Sequence, residues 1–468
     1  MSKNETGNSS NKIIIFSWVF ALSLHLSTYA NAQNSKALSL NKTIAIALEN
    51  DPWLVGNKFQ QDSVDSISVA AGTLPDPKVS VNFANLPLDT FDFTQEPMTQ
   101  FKVGVSQMFP RGKSLQLKRE QLQIKSRQFP YQRADRKAKI EVTVTQLWLE
   151  AYKAQISIAL IEKDRALFEQ LADVAQASYS AALGRTRQQD VIRAQLELTR
   201  LDDRLTMLNQ KLEMSMQKLS QWLSGYFLEE YRQNGSGITM NQELKVDKEL
   251  PSLELIHAQL YEQKNTQEQE LFSYFSSHPA VLALKQKIAS TDKGIELAKQ
   301  KYKPAWGVNA SYGYRGTTDV GINRADFLSV GVSFDVPLFT KNKQDKELES
   351  AIAQSEAIQT QEWLLLRKLI ASFETAKSQL MRLNERETLY SDQLLPQMRE
   401  QAEASLTAYT NDDGDFAEVV RSRIAELNAQ IDALNIAVDR QKTISQLNYF
   451  FTNSNDTMTE VNHKGEQE

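Results

Sequence analysis

The sequence predicts a mainly α protein with a small β part: long antiparallel helical hairpins plus two β-hairpins per chain, arranged as an internal tandem repeat. Three observations carry this expectation. The segment VGVSQMFP at 103–110 returns as VGVSFDVP at 330–337, an offset of 227 residues. Pro52 and Pro279, and Pro77 and Pro304, keep the same offset of 227, in a chain that has only 12 prolines to place. Helix breakers are also very unevenly spread: between Gly112 and Gly184 only Pro130 interrupts the run, and between Pro337 and Gly414 only Pro396 does.

At the N-terminus, Lys3 and Lys12 precede an apolar run from Ile13 to Leu26, and Ala30-Asn31-Ala32 offers a small-x-small cleavage site. That is the pattern of a secretory signal peptide over 1–32, and the run falls short of the roughly 20 apolar residues a membrane anchor needs. Removing Lys3, Lys12 and Glu5 takes +1 from the net charge of −5, leaving −6, a mild acidity that argues against a nucleic-acid partner. The chain has no cysteine. The fold is therefore expected to rest on packing or assembly, and the cleavage point lacks the residue that would carry a lipoprotein anchor.

Repeat 1 is expected over 33–224. A helix from about 39 to 72 leads to strands at about 78–86 and 99–109, followed by a helical hairpin over 111–224. A connector, 225–270, carries Gly235, Gly237 and Pro251 and has no assignable fold. Repeat 2, 271–451, gives a helix at about 280–303, strands at about 305–314 and 327–335, and a hairpin over 338–451. The tail, 452–468, is polar and expected to be disordered. Within the hairpins, apolar residues three and four apart, as in Leu147, Leu149, Ala151, Ala154, Ile158 and Ile161, mark helices. The heptad is not strict and a glycine hinges each pair, which favours side-by-side hairpins over a cytoskeletal coiled coil.

The strands alternate. Val79, Val81 and Phe83 interleave with Ser80, Asn82 and Ala84; Leu328, Val330, Val332 and Phe334 interleave with Ser329, Gly331, Ser333 and Asp335. One such strand is ordinary in a soluble sheet. Four matched strands in a secreted chain, with Phe91, Phe93, Phe109, Trp306, Tyr314, Phe327 and Phe339 near their ends, suit a membrane barrel with aromatic girdles. Four strands cannot close a barrel, and open edges cannot face lipid. Two copies would supply eight strands and a filled interior; three would supply twelve, room for a channel, and twelve helices gathered into a tunnel.

On the tandem repeat, the strand-to-helix junctions QMFPRG (107–112) and DVPLFT (335–340), and the hairpin tips ASYSAALGRTRQQDVIRAQ (177–195) and TAYTNDDGDFAEVVRSRIA (407–425), the chain resembles the TolC family of trimeric outer-membrane channels from about Leu38 to Phe451. LPDPKVS (74–80) and EPMTQFKVGVSQMFPRGKSLQLKREQ (96–121) are similar to the branch that serves heavy-metal pumps of the RND type. The resemblance implies a homotrimer in the outer membrane of a Gram-negative bacterium, with a 12-stranded barrel on a 12-helix periplasmic tunnel. Its implied partners are outer-membrane lipid, a periplasmic adaptor (membrane fusion) protein and an inner-membrane RND transporter. It further implies adaptor docking at the periplasmic tips, through Tyr179, Leu183, Gly184, Arg185, Asp190, Tyr409, Gly414 and Phe416.

Tyr179 with Gly184 and Tyr409 with Gly414 share an offset of 230, so three residues enter between the strands and the second tip. The tip glycines also read simply as turn residues needing positive φ. Where better-known members carry acidic gate residues, six and nine positions after the second tip glycine, this chain has Val420 and Arg423; Asp190 does match a family acid. Asp412, Asp413 and Asp415 are the candidate acidic gate, a ring in a trimer that would focus cations. A solvated acidic turn is the alternative.

No catalytic constellation stands out. His257, His278 and His463 are scattered, no Walker or dinucleotide motif occurs, and Met214 and Met216, two positions apart on a helix, are read as packing residues rather than a copper site. The expected protein is no enzyme and takes no cofactor or resident metal. The expected function is a passive exit duct for heavy-metal cations, with multidrug efflux or type I polypeptide secretion as alternatives. A soluble periplasmic coiled-coil scaffold or adaptor is the alternative of a different class.

Overall fold

The computed structural model describes residues 37–180, 187–224, 245–262, 268–318, 320–411 and 413–452. The expected signal peptide and the tail beyond Thr452 lie outside these residues.

The run expected as one helix over 39–72 is two: α1 (Leu40–Glu49) and α2 (Pro52–Ala71). Pro52 has no N–H to give and takes the first helical position, while the Asp51 carboxylate accepts from Trp53 N–H at 3.4 Å. Asp51 also receives Arg136 Nε at 2.8 Å, and the Arg136 guanidinium lies over the rings of Trp53 and Trp222 at 5.7 and 5.3 Å. The start of α2 is thereby tied to the long hairpin.

After strands β1 (Lys78–Ala84) and β2 (Gln100–Phe109), the first hairpin is stepped. A short α3 (Ser114–Ser126) gives way at Arg127 to α4 (Gln128–Ser180), which packs along α5 (Gln188–Leu223). The 53 residues of α4 extend about 80 Å at 1.5 Å per residue. Pro130 falls in its first turn, where a missing donor costs nothing.

The described part of the connector, from residue 245 on, lies against the hairpins. Val246 bridges in parallel to Leu38, and Leu253 and Ile256 donate their N–H groups to Gln441 Oε1 and Asn448 Oδ1, both at 2.9 Å. Short helices α6 (Gln259–Glu262) and α7 (Glu268–Phe275) precede α8 (Pro279–Gln300).

Strands β3 (Ala305–Tyr314) and β4 (Phe327–Asp335) lead into α9 (Gln344–Leu389), a π-helical turn (Tyr390–Leu394), α10 (Leu395–Thr410) and α11 (Phe416–Tyr449). The π turn widens the hydrogen-bond ladder immediately before Pro396, whose ring and missing N–H a regular α-helix would not accept. Repeat 1 has no counterpart, since Pro396 and Pro130 are not related by the repeat offset. Ser114, which opens α3, follows Pro110 by four positions, whereas Gln344, which opens α9, follows Pro337 by seven. The three residues gained between the repeats therefore lie at the strand-to-helix junction.

The four strands form one antiparallel sheet in the order β1-β2-β3-β4, with β1 and β4 unpaired on their outer edges among the described residues. Apolar packing is concentrated among the helices. Around Trp148, whose indole N–H donates to Leu38 O at 2.8 Å, are gathered Ile140, Val144, Leu219, Leu223 and Val438. Phe275, Phe373, Phe450 and Phe451 form a second cluster, and Ile161, Phe168, Phe416, Val420 and Leu427 a third toward the hairpin tips.

Candidate functional site

Two surfaces carry the features that sequence alone singles out: the sheet and the hairpin tips. The sheet register stacks like on like. Val79, Val105, Ala310 and Val330 form one row across the four strands, and Val81, Val103, Tyr312 and Leu328 the next. On the opposite face, Ser80, Gly104, Ser311 and Ser329 form a small, polar row. Folding covers little of the apolar face, for Leu328 remains 75% and Val330 70% exposed.

The polar face is the crowded one. A Cβ at Gly104 would meet Ser80 Oγ at 2.9 Å, at Gly307 Met108 Sδ at 2.5 Å, and at Gly331 Asn309 Oδ1 at 2.8 Å. Glycine there lets side chains converge, as on the concave side of a curled sheet. At the rim away from the helices, Phe93 of the β1–β2 loop stacks on Tyr314 at 6.2 Å and meets Phe83 edge-on at 6.3 Å. Arg324 donates to the carbonyls of Glu96 and Thr94 at 3.1 and 3.2 Å, and Arg315 to that of Pro97 at 3.2 Å. These two arginines fasten one loop to the other, a clamp that sequence reading misses because no local pattern links residues more than 200 positions apart.

At the tips, Leu183, Gly184, Arg185 and Asp412 lie outside the described residues. Tyr179 is exposed near the end of α4. Asp190, expected on a docking surface, is buried instead: its carboxylate accepts Arg187 N–H at 2.9 Å and closes the first turn of α5. Phe416 is also buried, edge-to-face with Tyr409 at 5.7 Å. Gly414 is not at positive φ; it is required because a Cβ would lie 2.6 Å from Tyr409 N and 2.9 Å from Ala408 C. The need for glycine is a backbone crossing, not a left-handed turn.

Of the acidic residues, Asp413 and Asp415 are both exposed. Asp415 also caps α11, accepting Ala417 N–H at 3.2 Å. Val420 is buried in the tip core, and Arg423 pairs with Glu426 at 2.8 Å within its own helix. Burial, with the neighbouring Glu426 carboxylate, holds the Asp164 carboxyl above its ordinary range. An acidic group at either 420 or 423 would therefore face packed or already negative surroundings.

Among the described residues, no three His, Cys, Asp or Glu side chains stand together as a metal site. Met216 packs against the cluster around Trp148, but Met214, expected to pack, is half-exposed. No helix among the described residues is long and apolar enough to cross a membrane.

No protein-family model matches the sequence, and no curated protein matches it. Solved structures do match. CusC, studied for its folding and transmembrane channel formation, is similar with a TM-score of 0.71 at 12% identity, over 91% of this chain and 95% of that one. The Campylobacter jejuni outer-membrane channel CmeC gives 0.71 at 11% identity, over 91% and 88%. The open-state Neisseria gonorrhoeae outer-membrane channel MtrE gives 0.66 at 14%, over 89% of each chain. Across nearly its whole described length, the chain has the fold of these outer-membrane channel proteins.

Proposed function

We propose that the chain is one protomer of a passive, trimeric outer-membrane duct of the TolC type. The observation that carries this reading is a four-stranded sheet with an exposed apolar face and two unpaired edges. Buried in lipid, such edges would leave backbone donors and acceptors unsatisfied, at several kcal/mol each; pairing β4 of one copy with β1 of the next removes that cost. Three copies give twelve strands, a lumen lined by the serine- and glycine-rich face, and six helical hairpins beneath it. Each hairpin tip offers a docking end to a periplasmic adaptor, and an inner-membrane RND transporter supplies the energy. Heavy-metal cations are the proposed cargo, with Asp412, Asp413 and Asp415 concentrating cations at the narrow end; drugs or polypeptides would use the same architecture.

Because the chain lacks cysteine, engineered disulfides report on assembly without background. Cysteine pairs placed along β1 and β4 should yield covalent species ending at three chains in outer-membrane fractions. A series ending at two, or protein released by osmotic shock, refutes the twelve-stranded duct. Growth of a deletion strain across copper, silver, zinc, cobalt, cadmium and unrelated drugs then tests the cargo: selective metal sensitivity is expected, and sensitivity to drugs alone overturns it.

A further inference from the structure

The three residues by which repeat 2 exceeds repeat 1 fall in the segment Val336-Pro337-Leu338-Phe339-Thr340-Lys341-Asn342-Lys343, which joins β4 to α9 without regular secondary structure. The junction in repeat 1 is tied down. Arg111 donates to the carbonyls of Lys301 and Lys303 at 3.3 and 2.6 Å and pairs with Asp335. The side chains of 336–343 have no comparable ties. Leu338 is 75% and Phe339 92% exposed, and the exposed Lys341 and Lys343 have no carboxylate partner among the described residues.

Other cations surround this end of the sheet. Lys113 is held beside the end of α8 by its backbone N–H to Gln300 Oε1 at 3.3 Å, while Lys299 and Lys303 are exposed close by. Lys301 pairs with Glu347 at 3.0 Å and brings the start of α9 into the same belt. The opposite rim differs in sign: Arg315 and Arg324 are spent on loop carbonyls, and Asp89, Asp92, Glu96 and Asp326 stand around them. The near rim also holds Glu120, Glu296, Asp335, Asp345 and Glu347, but these are engaged by Lys293, Arg111, Tyr302 and Lys301, which leaves lysines in excess there and carboxylates in excess at the far loops.

We propose that segment 336–343, with Lys113, Lys299 and Lys303, is a binding site for anionic glycerophospholipid in the leaflet nearer the helices. Leu338 and Phe339 enter the acyl boundary beside the apolar face of β4. Lys341 and Lys343 sit at the level of the phosphodiesters, their stems along the acyl boundary and their ammonium groups among the headgroups. An exposed leucine–phenylalanine pair next to unpaired lysines matches a surface that is apolar on one side and anionic on the other, and it continues the membrane face already described. The inference rests on the barrel reading above.

Full-length protein carrying Phe339→Cys or Val330→Cys, each the sole cysteine in its chain, is labelled with a fluorophore and reconstituted in phosphatidylethanolamine vesicles, with and without cardiolipin. Brominated acyl chains should quench both labels. Native mass spectrometry of unlabelled protein should retain cardiolipin in preference to phosphatidylethanolamine. Since each lysine facing an anionic surface accounts for about a fivefold change in partitioning, K341Q/K343Q should lower that retention by more than about tenfold. A quenched label at 330 with a shielded one at 339 would mean that a neighbouring copy covers the segment, and unchanged cardiolipin retention in K341Q/K343Q would mean that the lysines serve another purpose; either result overturns the proposal. An unquenched label at 330 defeats the barrel reading itself, and this inference with it.

Discussion

Gly414 sits where the chain crosses back over the last turn of α10, and the atoms nearest its missing Cβ are backbone atoms of Tyr409 and Ala408, which cannot rotate away as a side chain can. Gly414→Ala should therefore open the second tip, costing about 1–3 kcal/mol, the usual penalty of forcing one carbon into filled space. Hydrogen exchange should show lost protection confined to the ends of α10 and α11. Gly56→Ala is the matched control: nothing lies within 4 Å of its would-be Cβ, and alanine in a helix is favoured over glycine by roughly 0.5–1 kcal/mol. Equal responses from the two variants would remove the backbone-crossing account of the tip. The two acids at the start of the tip helices have a similarly local explanation: Asp190 and Asp415 each satisfy backbone N–H groups that no earlier helical turn can reach.

Helix α8 is held at its start by His278, and this gives the element a pH dependence. Its Nδ1 accepts Ala280 N–H at 3.2 Å, and its Nε2 lies 3.1 Å from Tyr449 O, an arrangement that suits the neutral ring with its proton on Nε2. Burial pushes the imidazole below its ordinary value of 6.5, against the opposing pull of Asp135 and the Tyr449 carbonyl and with a small push from Lys139. A depressed folded value means that the unfolded chain takes up the proton first, so stability is fully present above about 6.5 and falls as the pH drops through the folded value. Between pH 7 and pH 5 the melting temperature should fall, with His278 contributing part of the slope. His278→Asn keeps a capping acceptor but removes the titration, and should flatten that slope; an unchanged slope would assign it to other groups. Sequence reading had only a scattered histidine here, because the carbonyl that its Nε2 meets, that of Tyr449, lies 171 positions away. The strands and long helices were legible because their signals are local and periodic: side chains alternate in β1 to β4, and breakers are absent across α5, α9 and all of α4 beyond Pro130 in its first turn. The division at Asp51-Pro52 was written in the sequence but masked by the continuing apolar pattern. The π turn before Pro396 leaves no compositional trace. For the tips, residue identity suggested docking and gating, but burial of Asp190, Phe416 and Val420 depends on which helices meet there.

At the scale of the whole molecule, the sheet is the part that a single chain leaves unfinished, and its two faces make opposite predictions for neighbouring positions. Val330 and Ser329 are adjacent on β4, both exposed in the protomer, yet they stand in the valine row and the serine–glycine row respectively. If three sheets close around a lumen, Val330 faces hydrocarbon near the middle of its strand and Ser329 faces water. An arginine on the lipid face near the bilayer midplane costs about 2–4 kcal/mol per chain, and the copies in an assembly repeat that cost. Val330→Arg should therefore deplete the protein from the outer-membrane fraction, while Ser329→Arg should insert normally but lower cation selectivity in planar-bilayer conductance by placing positive charge around the lumen. The contrast does not depend on cargo, adaptor or pump, because it follows from the period-two geometry of one strand. Should both variants insert alike with unaltered conductance, the valine row would not face hydrocarbon nor the serine–glycine row the lumen, and the assignment of the two faces would be overturned.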